Sequence, residues 1–190
     1  RLLVWSEGVF RAFDVGGVLS RLTFPVPVNL EGKGWDDLLA VAADGALVLI
    51  GSLPSGPRVV SRVDAHALPD SRITLGSLDG SAGLQAVVLS DSTDRYVHGV
   101  LGDKLEASAV TVVNVAPNEL TIRFRYVVRA PAVLEDLIPI VAPIGEGRRP
   151  AVVVVKSAPS QGSSILVLGW RDGGLEVLAE GPAFDQSNRW

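Results

Sequence analysis

Cysteine is absent from the chain, which excludes disulfides and thiolate metal sites at once. Methionine is absent too, even at position 1, and the sequence opens on the strand-like run Arg1 to Trp5. A processed mature form or a segment of a longer polypeptide is therefore expected. Long apolar runs are missing: stretches such as Ala151–Val155 and Ile165–Leu168 fall far below the roughly 20 residues that span a bilayer as a helix. There is no basic excess either. With 17 basic and 21 acidic residues and a formal net charge of −4, the chain lacks the positive stripe that a phosphate backbone requires, so no nucleic-acid partner is expected. Helical pattern is scarce, and only Val133 to Leu137 and Lys104 to Ala107 have the composition for a turn or two.

What is present is short strands. Hydrophobic residues make up 47% and charged residues 20% of the 190, the reverse of the disorder signature. Runs rich in Val, Ile and Leu recur from Leu2–Trp5 to Leu175–Ala179, separated by turn chemistry such as Asp44-Gly45, Asp79-Gly80, Gly145-Glu146-Gly147 and Asp172-Gly173-Gly174. About fifteen such runs indicate an all-β sandwich, barrel or propeller.

An internal repeat favours the propeller. An apolar strand, an acidic-glycine turn and two further apolar runs recur at Phe24–Gly51, Ile73–Gly102 and Ile138–Gly169. The interval from Gly32 to Gly80 lies near the roughly 40 to 50 residues of a four-stranded blade; that from Gly80 to Gly147 is longer. The expected organisation is a β-propeller-like repeat of four-stranded antiparallel blades: an outer hairpin of a preceding blade (1–21), a blade (22–68), a second (72–118), an insertion (119–136), a third blade (137–182) and the start of a next one (183–190). Three blades and a hairpin close poorly, so the expectation is part of a larger propeller, either within a longer parent chain or assembled from several chains.

At the acidic-glycine turns the sequence resembles the FG-GAP or VCBS type of β-propeller repeat, the unit of integrin α-subunit heads and many bacterial surface proteins. The resemblance implies a secreted or envelope location. It also implies calcium loops of the form D-x-[DN]-x-D-G-x-x-D. Here the ligand places around Asp79-Gly80 hold Leu75, Ser77 and Gly83, and those around Glu146-Gly147 hold Ala142, Ile144 and Arg148-Arg149. Around Glu31-Gly32 stand Pro27, Asn29 and Trp35, with Asp36 and Asp37 following. Asn29, Glu31, Asp36 and Asp37 are the residues with which the first loop could offer oxygens to a metal. One carboxylate per loop is too few for a tight site, so these loops read as turns and no cofactor is expected.

Two stretches carry chemistry worth placing. Asp91, Ser92, Thr93, Asp94, Arg95, Tyr96 and His98 form the densest polar group. His98 could serve there as a base or sugar contact oriented by Asp94, with Arg95 and Tyr96 holding a ligand; an Asp/Ser/Thr-rich turn leading into a strand accounts for the same residues. Neither His66 nor His98 has a partner at ligand spacing. The second stretch, Leu120 to Arg129, alternates apolar Leu120, Ile122, Phe124, Tyr126 and Val128 with Thr121, Arg123, Arg125 and Arg129. That pattern predicts a half-buried strand with a basic outer stripe. No nucleophile elbow or phosphate loop occurs, and no catalytic residue is assigned. The expected function is a non-enzymatic binding or scaffold module that presents Arg95, Tyr96, His98, Arg123 and Arg125 to a protein or glycan partner. The alternatives are a propeller enzyme acting on a carbohydrate near Asp94 to His98, and a structural subunit of a larger assembly.

Overall fold

The computed structural model describes residues 2–6, 8–13, 18–19, 23–32, 36–53, 56–99, 102–135, 140–144, 149–158 and 161–184; residues 2–6, 52–53, 95–99, 102–104, 140, 142–144 and 149 enter by their backbone course. Among them every regular element is a strand and every pairing is antiparallel. The chain opens on a hairpin of β1 (Leu2–Ser6) and β2 (Val9–Phe13). A four-stranded meander follows: β3 (Val26–Val28), β4 (Asp37–Val41), β5 (Ala46–Leu53) and β6 (Gly56–Asp64). The second meander pairs β7 (Thr74–Gly76), β8 (Leu84–Gly99), β9 (Gly102–Ala116) and β10 (Glu119–Val127) in chain order. After the short β11 (Val133–Leu134) comes the third, of β12 (Ile140–Ile144), β13 (Arg149–Ala158), β14 (Gly162–Arg171) and β15 (Gly174–Glu180). Strand β11 joins the last two meanders at one end, with Leu134 opposite both Ala107 of β9 and Lys156 of β13.

The meanders stack through shared cores because their central strands are apolar on both faces. Leu39, Val41, Leu47 and Leu49 of the first pack with Ala86, Val88, Val113 and Val115 of the second. On its opposite face, the second meander sets Val87, Leu89, Val110 and Val112 against Val152, Val154, Leu166 and Leu168 of the third. Period-two alternation sends successive side chains to opposite faces, so unbroken runs such as Ala86–Leu89 and Ala151–Val155 serve two layers at once. The outward face of the first meander, with Ala40, Ala42, Ala46, Val48 and Ile50, is covered in part by Val18 and Leu19. Each buried Val or Leu contributes about 1.5–3 kcal/mol relative to exposure, which makes these cores the main stabilising feature.

Several expectations change. Lys104–Ala107 lies within β9 and Val133–Leu134 forms β11, so neither begins a helical turn; pairing to β8 and β13 overrides weak local helical composition. The segment Glu119–Val127, placed by the repeat spacing in an insertion, runs along β9 as the outer strand of the second meander. Its alternation does not keep one face. Leu120 opposes Val115 and Ile122 opposes Val113, but the register then shifts so that Phe124 opposes Val112 and Tyr126 opposes Val110. A bulge at Arg123 adds one residue, and one residue moves every following side chain to the other face. Leu120 thus belongs to the core shared with the first meander, while Phe124 and Tyr126 pack on the core shared with the third. The expected start of a next blade at 183–190 lies, after Phe184, outside the described residues.

Candidate functional site

The strands β8 and β9 run past the rest of their sheet. Strand β7 meets β8 only from Gln85 to Val87, and β10 meets β9 only from Ala109 to Ala116. Beyond Ser92, opposite Ala107, the register breaks and resumes at Tyr96 opposite Leu105, continuing through Val97–Lys104 and His98–Asp103 to Gly99–Gly102. The two strands therefore form a ribbon that projects from the sheet, with no further strand beside it among the described residues. Thr93, Asp94 and Arg95 face Glu106 alone across this break. The Asp/Ser/Thr-rich segment is thus a bulge inside one long strand rather than a turn between two. Asp94 adopts φ 57° and its N–H donates to Ser92 Oγ at 3.0 Å, while Thr93 Oγ1 donates to Glu106 Oε2 at 3.4 Å. Local side-chain acceptors and tolerance of the left-handed region explain why Asp and Ser stand here.

At the ribbon's base lies a polar group that sequence reasoning missed. Asp91 adopts φ 57° and His66, on the connection from β6 to β7, adopts φ 49°. Two non-glycine residues in the left-handed region, facing one another, mark a strained junction. The Asp91 N–H donates to the His66 carbonyl at 2.9 Å, and Ser108 Oγ donates to the Asp91 carbonyl at 2.9 Å. The imidazole sits between two carboxylates, with Nδ1 3.3 Å from Asp91 Oδ1 and Nε2 3.1 Å from Asp64 Oδ2. Arg125 Nη1 lies 3.4 Å from both oxygens of Asp91. Beneath this network Ser90 and Thr111 share a buried 2.7 Å hydrogen bond, and Ser71 Oγ accepts the Leu89 N–H at 3.1 Å. The junction is pinned laterally by Ala67, which bridges to Ser90 and whose carbonyl would stand 2.8 Å from a Cβ on Gly45 (φ 83°). Nothing in the spacing of Asp64, His66, Asp91 and Arg125 announces the group, because the β6–β7 connection assembles it.

Both imidazole nitrogens face carboxylates, and an imidazole so placed can donate to both only as the cation. Of the residues expected to bind a partner, Arg125 is half-buried on Asp91, and Arg123 lies over the Trp170 ring at 5.5 Å from its centroid. The two arginines therefore do not form one outer stripe. Arg95, Tyr96 and His98 ride on the projecting ribbon, whose extended course carries His98 away from Asp94. Asn29, Glu31 and Asp36 are exposed, and Asp37 opens β4 opposite Val28. Among the described residues no group of three or more His, Asp or Glu is arranged to hold a metal ion.

The acidic-glycine turn at Asp79-Gly80 uses its carboxylate internally. Asp79 Oδ1 accepts the Ser81 N–H at 2.9 Å, and hydrogen bonds from Ser81 hold the Asp79 carboxyl below the usual range. Gly80 supplies the positive φ of 73° that the turn needs. Among the described residues no helix is long and apolar enough to cross a membrane. Fold and site together define an all-β protein of face-to-face antiparallel meanders with one projecting ribbon. The chain matches no family model, no curated protein and no solved structure.

Proposed function

We propose that this chain is a non-enzymatic binding module of β-propeller type, which uses the β8–β9 ribbon to engage an extended segment of a protein partner. The propeller reading is supported by three successive four-stranded meanders stacked through apolar faces. The binding reading rests on one observation: a ribbon beyond the sheet offers backbone donors and acceptors along edges that no other described strand occupies. Such an edge recruits an added strand, with main-chain bonds giving affinity and alternate side chains giving selectivity. Arg95, Tyr96 and His98 supply the selectivity, and the Asp64–His66–Asp91–Arg125 network fixes the angle at which the ribbon leaves the sheet.

The test replaces residues 94–105 by an Asn-Gly turn, which keeps the paired part of β8 and β9. A displayed peptide library is selected on the native chain and counter-selected on the trimmed one. Extended, β-forming peptides that bind the native chain at least about tenfold tighter are expected. Recovery of binders indifferent to trimming, or of none, refutes the reading.

A further inference from the structure

The outer strand of every meander carries one extra residue. The register steps over Val60 between the pairs Ile50–Val59 and Leu49–Ser61, over Arg123 between Val113–Ile122 and Val112–Phe124, and over Leu178 between Leu168–Val177 and Val167–Ala179. Each bulge follows by nine residues a position on the preceding strand, held by Gly51, Asn114 and Gly169 in turn. In the first and third meanders the bulged side chain covers the glycine, for an added Cβ would lie 2.8 Å from Val60 Cγ1 at Gly51 and 2.4 Å from Leu178 Cδ1 at Gly169. The second meander departs from this pair at both positions. Asparagine stands where the others have glycine, and the bulged residue is an arginine whose guanidinium lies over Trp170.

Alternation along the strands puts the changed pair on the side of the third meander. Val112 belongs to the core shared with that meander and Val113 to the core shared with the first, so Asn114 returns to the third-meander side. Gln85 and Thr121, its register partners on β8 and β10, lie on the same side. Gln85 is buried and its Oε1 accepts the Leu78 N–H at 2.8 Å. The Asn114 carboxamide is half-buried and has no hydrogen-bond partner among the described residues. Thr121 and Arg123 are exposed, and Arg123 acts electrostatically on the half-buried Asp79. Trp170, half-buried, meets Phe124 edge to face.

This mixture of groups selects among ligands. Asp79 accepts, Arg123 donates and the Asn114 carboxamide does both, which matches neighbouring hydroxyls, since each of those also donates and accepts. An anionic ligand would meet the Asp79 carboxylate beside the arginine, and an apolar one would leave the amide unsatisfied. An aromatic ring among a few placed polar groups is the usual make-up of a small-ligand site. We infer that the Asn114–Arg123 corner of the second meander, with Thr121, Asp79 and Trp170, binds an uncharged, hydroxyl-rich glycan. The corner lies at the end of β9 opposite the ribbon, so the inference stands independently of the peptide-binding reading.

The native chain is titrated with short oligosaccharides of glucose, xylose, mannose and N-acetylglucosamine, and with oligogalacturonate as the charged comparison, while NMR follows the Asn114 side-chain amide and the Trp170 indole. At least one uncharged oligosaccharide should bind with a dissociation constant below about 1 mM and move both signals. Binding of none, tighter binding of oligogalacturonate, or shifts that spare Asn114 overturn the inference. Asn114→Ala and Arg123→Gln should each weaken binding by at least about fivefold. Arg58→Gln, at the place in the first meander that corresponds to Thr121, should leave it unchanged. The double variant Asn114→Gly/Arg123→Val gives the second meander the pair found in the first; it should keep the native circular dichroism and lose glycan binding. A folded double variant that still binds, or an Arg123→Gln chain of native affinity, refutes the site.

Discussion

From Leu84 to Ser90, β8 lies between β7 or the 66–68 segment on one side and β9 on the other, with Ala86 and Val88 in one core and Val87 and Leu89 in the next. From Asp91 onward the same strand leaves the sheet, bulges, and keeps β9 as its described strand partner. Apolar alternation specifies the first half, where a slip of one residue would put the wrong side chains into both cores. Backbone chemistry specifies the second half: Asp91 and Asp94 occupy the left-handed region, and Ser92 and Ser108 satisfy the groups this frees. A strand can thus pass from lying between two cores to pairing with one described neighbour within a single residue.

The sharpest test of that contrast is Leu89→Ala. Leu89 is fully buried between the second and third meanders, and emptying such a site costs about 2–5 kcal/mol. Urea denaturation should show a loss in that range, whereas Asp94→Asn, on the exposed side of the break and tolerant of the same left-handed backbone, should cost under about 1 kcal/mol. Equal losses would mean that the two halves do not differ in the way described.

The next largest effect should come from the hinge itself. Asp91→Val removes the carboxylate that His66 and Arg125 share and forces a β-branched residue to φ 57°, at an expected cost of about 2–3 kcal/mol. Asp91→Asn keeps a residue type that tolerates this conformation and should lose about 1 kcal/mol or less, as befits partly exposed ion pairs. If valine and asparagine cost the same, charge rather than backbone geometry sets the junction. Amide exchange then locates the damage: in the native chain, residues 93–99 should exchange well before 86–89, and Asp91→Val should narrow that gap.

The strand runs and their turns could be read from residues because burial on two faces leaves an unmistakable signal, as in Ala86–Leu89 and Ala151–Val155. The ribbon could not. Its bulge contains the same Asp, Ser and Thr that close ordinary turns, and composition does not separate a turn from a bulge inside a hairpin. Leu120 to Val128 misled for a related reason: perfect alternation in sequence passes through a bulge at Arg123, which sends Phe124 to a different core from Leu120. His66 was overlooked because its partners Asp64, Asp91 and Arg125 meet only through the β6–β7 connection, a long-range arrangement that no local spacing encodes.

A smaller effect concerns acid. Glu180 lies at the edge of the third meander, with Lys156 Nζ at 2.6 Å and Ser164 Oγ donating at 2.7 Å. The Lys156 hydrogen bond first, then that of Ser164, holds its carboxyl below the usual glutamate range. In the unfolded chain the group takes up its proton at higher pH, so its contribution is complete above the ordinary glutamate value and is lost as pH falls through the lowered folded one. Glu180→Gln should therefore flatten the fall in urea midpoint between about pH 5 and pH 3. An unchanged slope would show that this ion pair adds nothing to the sheet, in line with many exposed pairs.

The smallest expected change is at Arg123, and it bears most directly on what the bulge in β10 is for. The guanidinium lies over Trp170, whose ring meets Phe124 edge to face with centroids 6.0 Å apart. Phe124 in turn fills the space over Gly174, where an added Cβ would come within 2.6 Å of its ring. The bulged arginine thus caps an aromatic pair that seats the second meander on the third. A cation over an exposed ring contributes about 0.5–1 kcal/mol, so Arg123→Ala should lower stability by no more than that, whereas Trp170→Ala should cost several times as much through lost packing. Trp170 emission should shift on Arg123→Ala while ribbon-dependent binding stays unchanged. A loss of binding with stability intact would instead make Arg123 a partner contact, and the division between a packed sheet and a presenting ribbon would have to be redrawn to include β10.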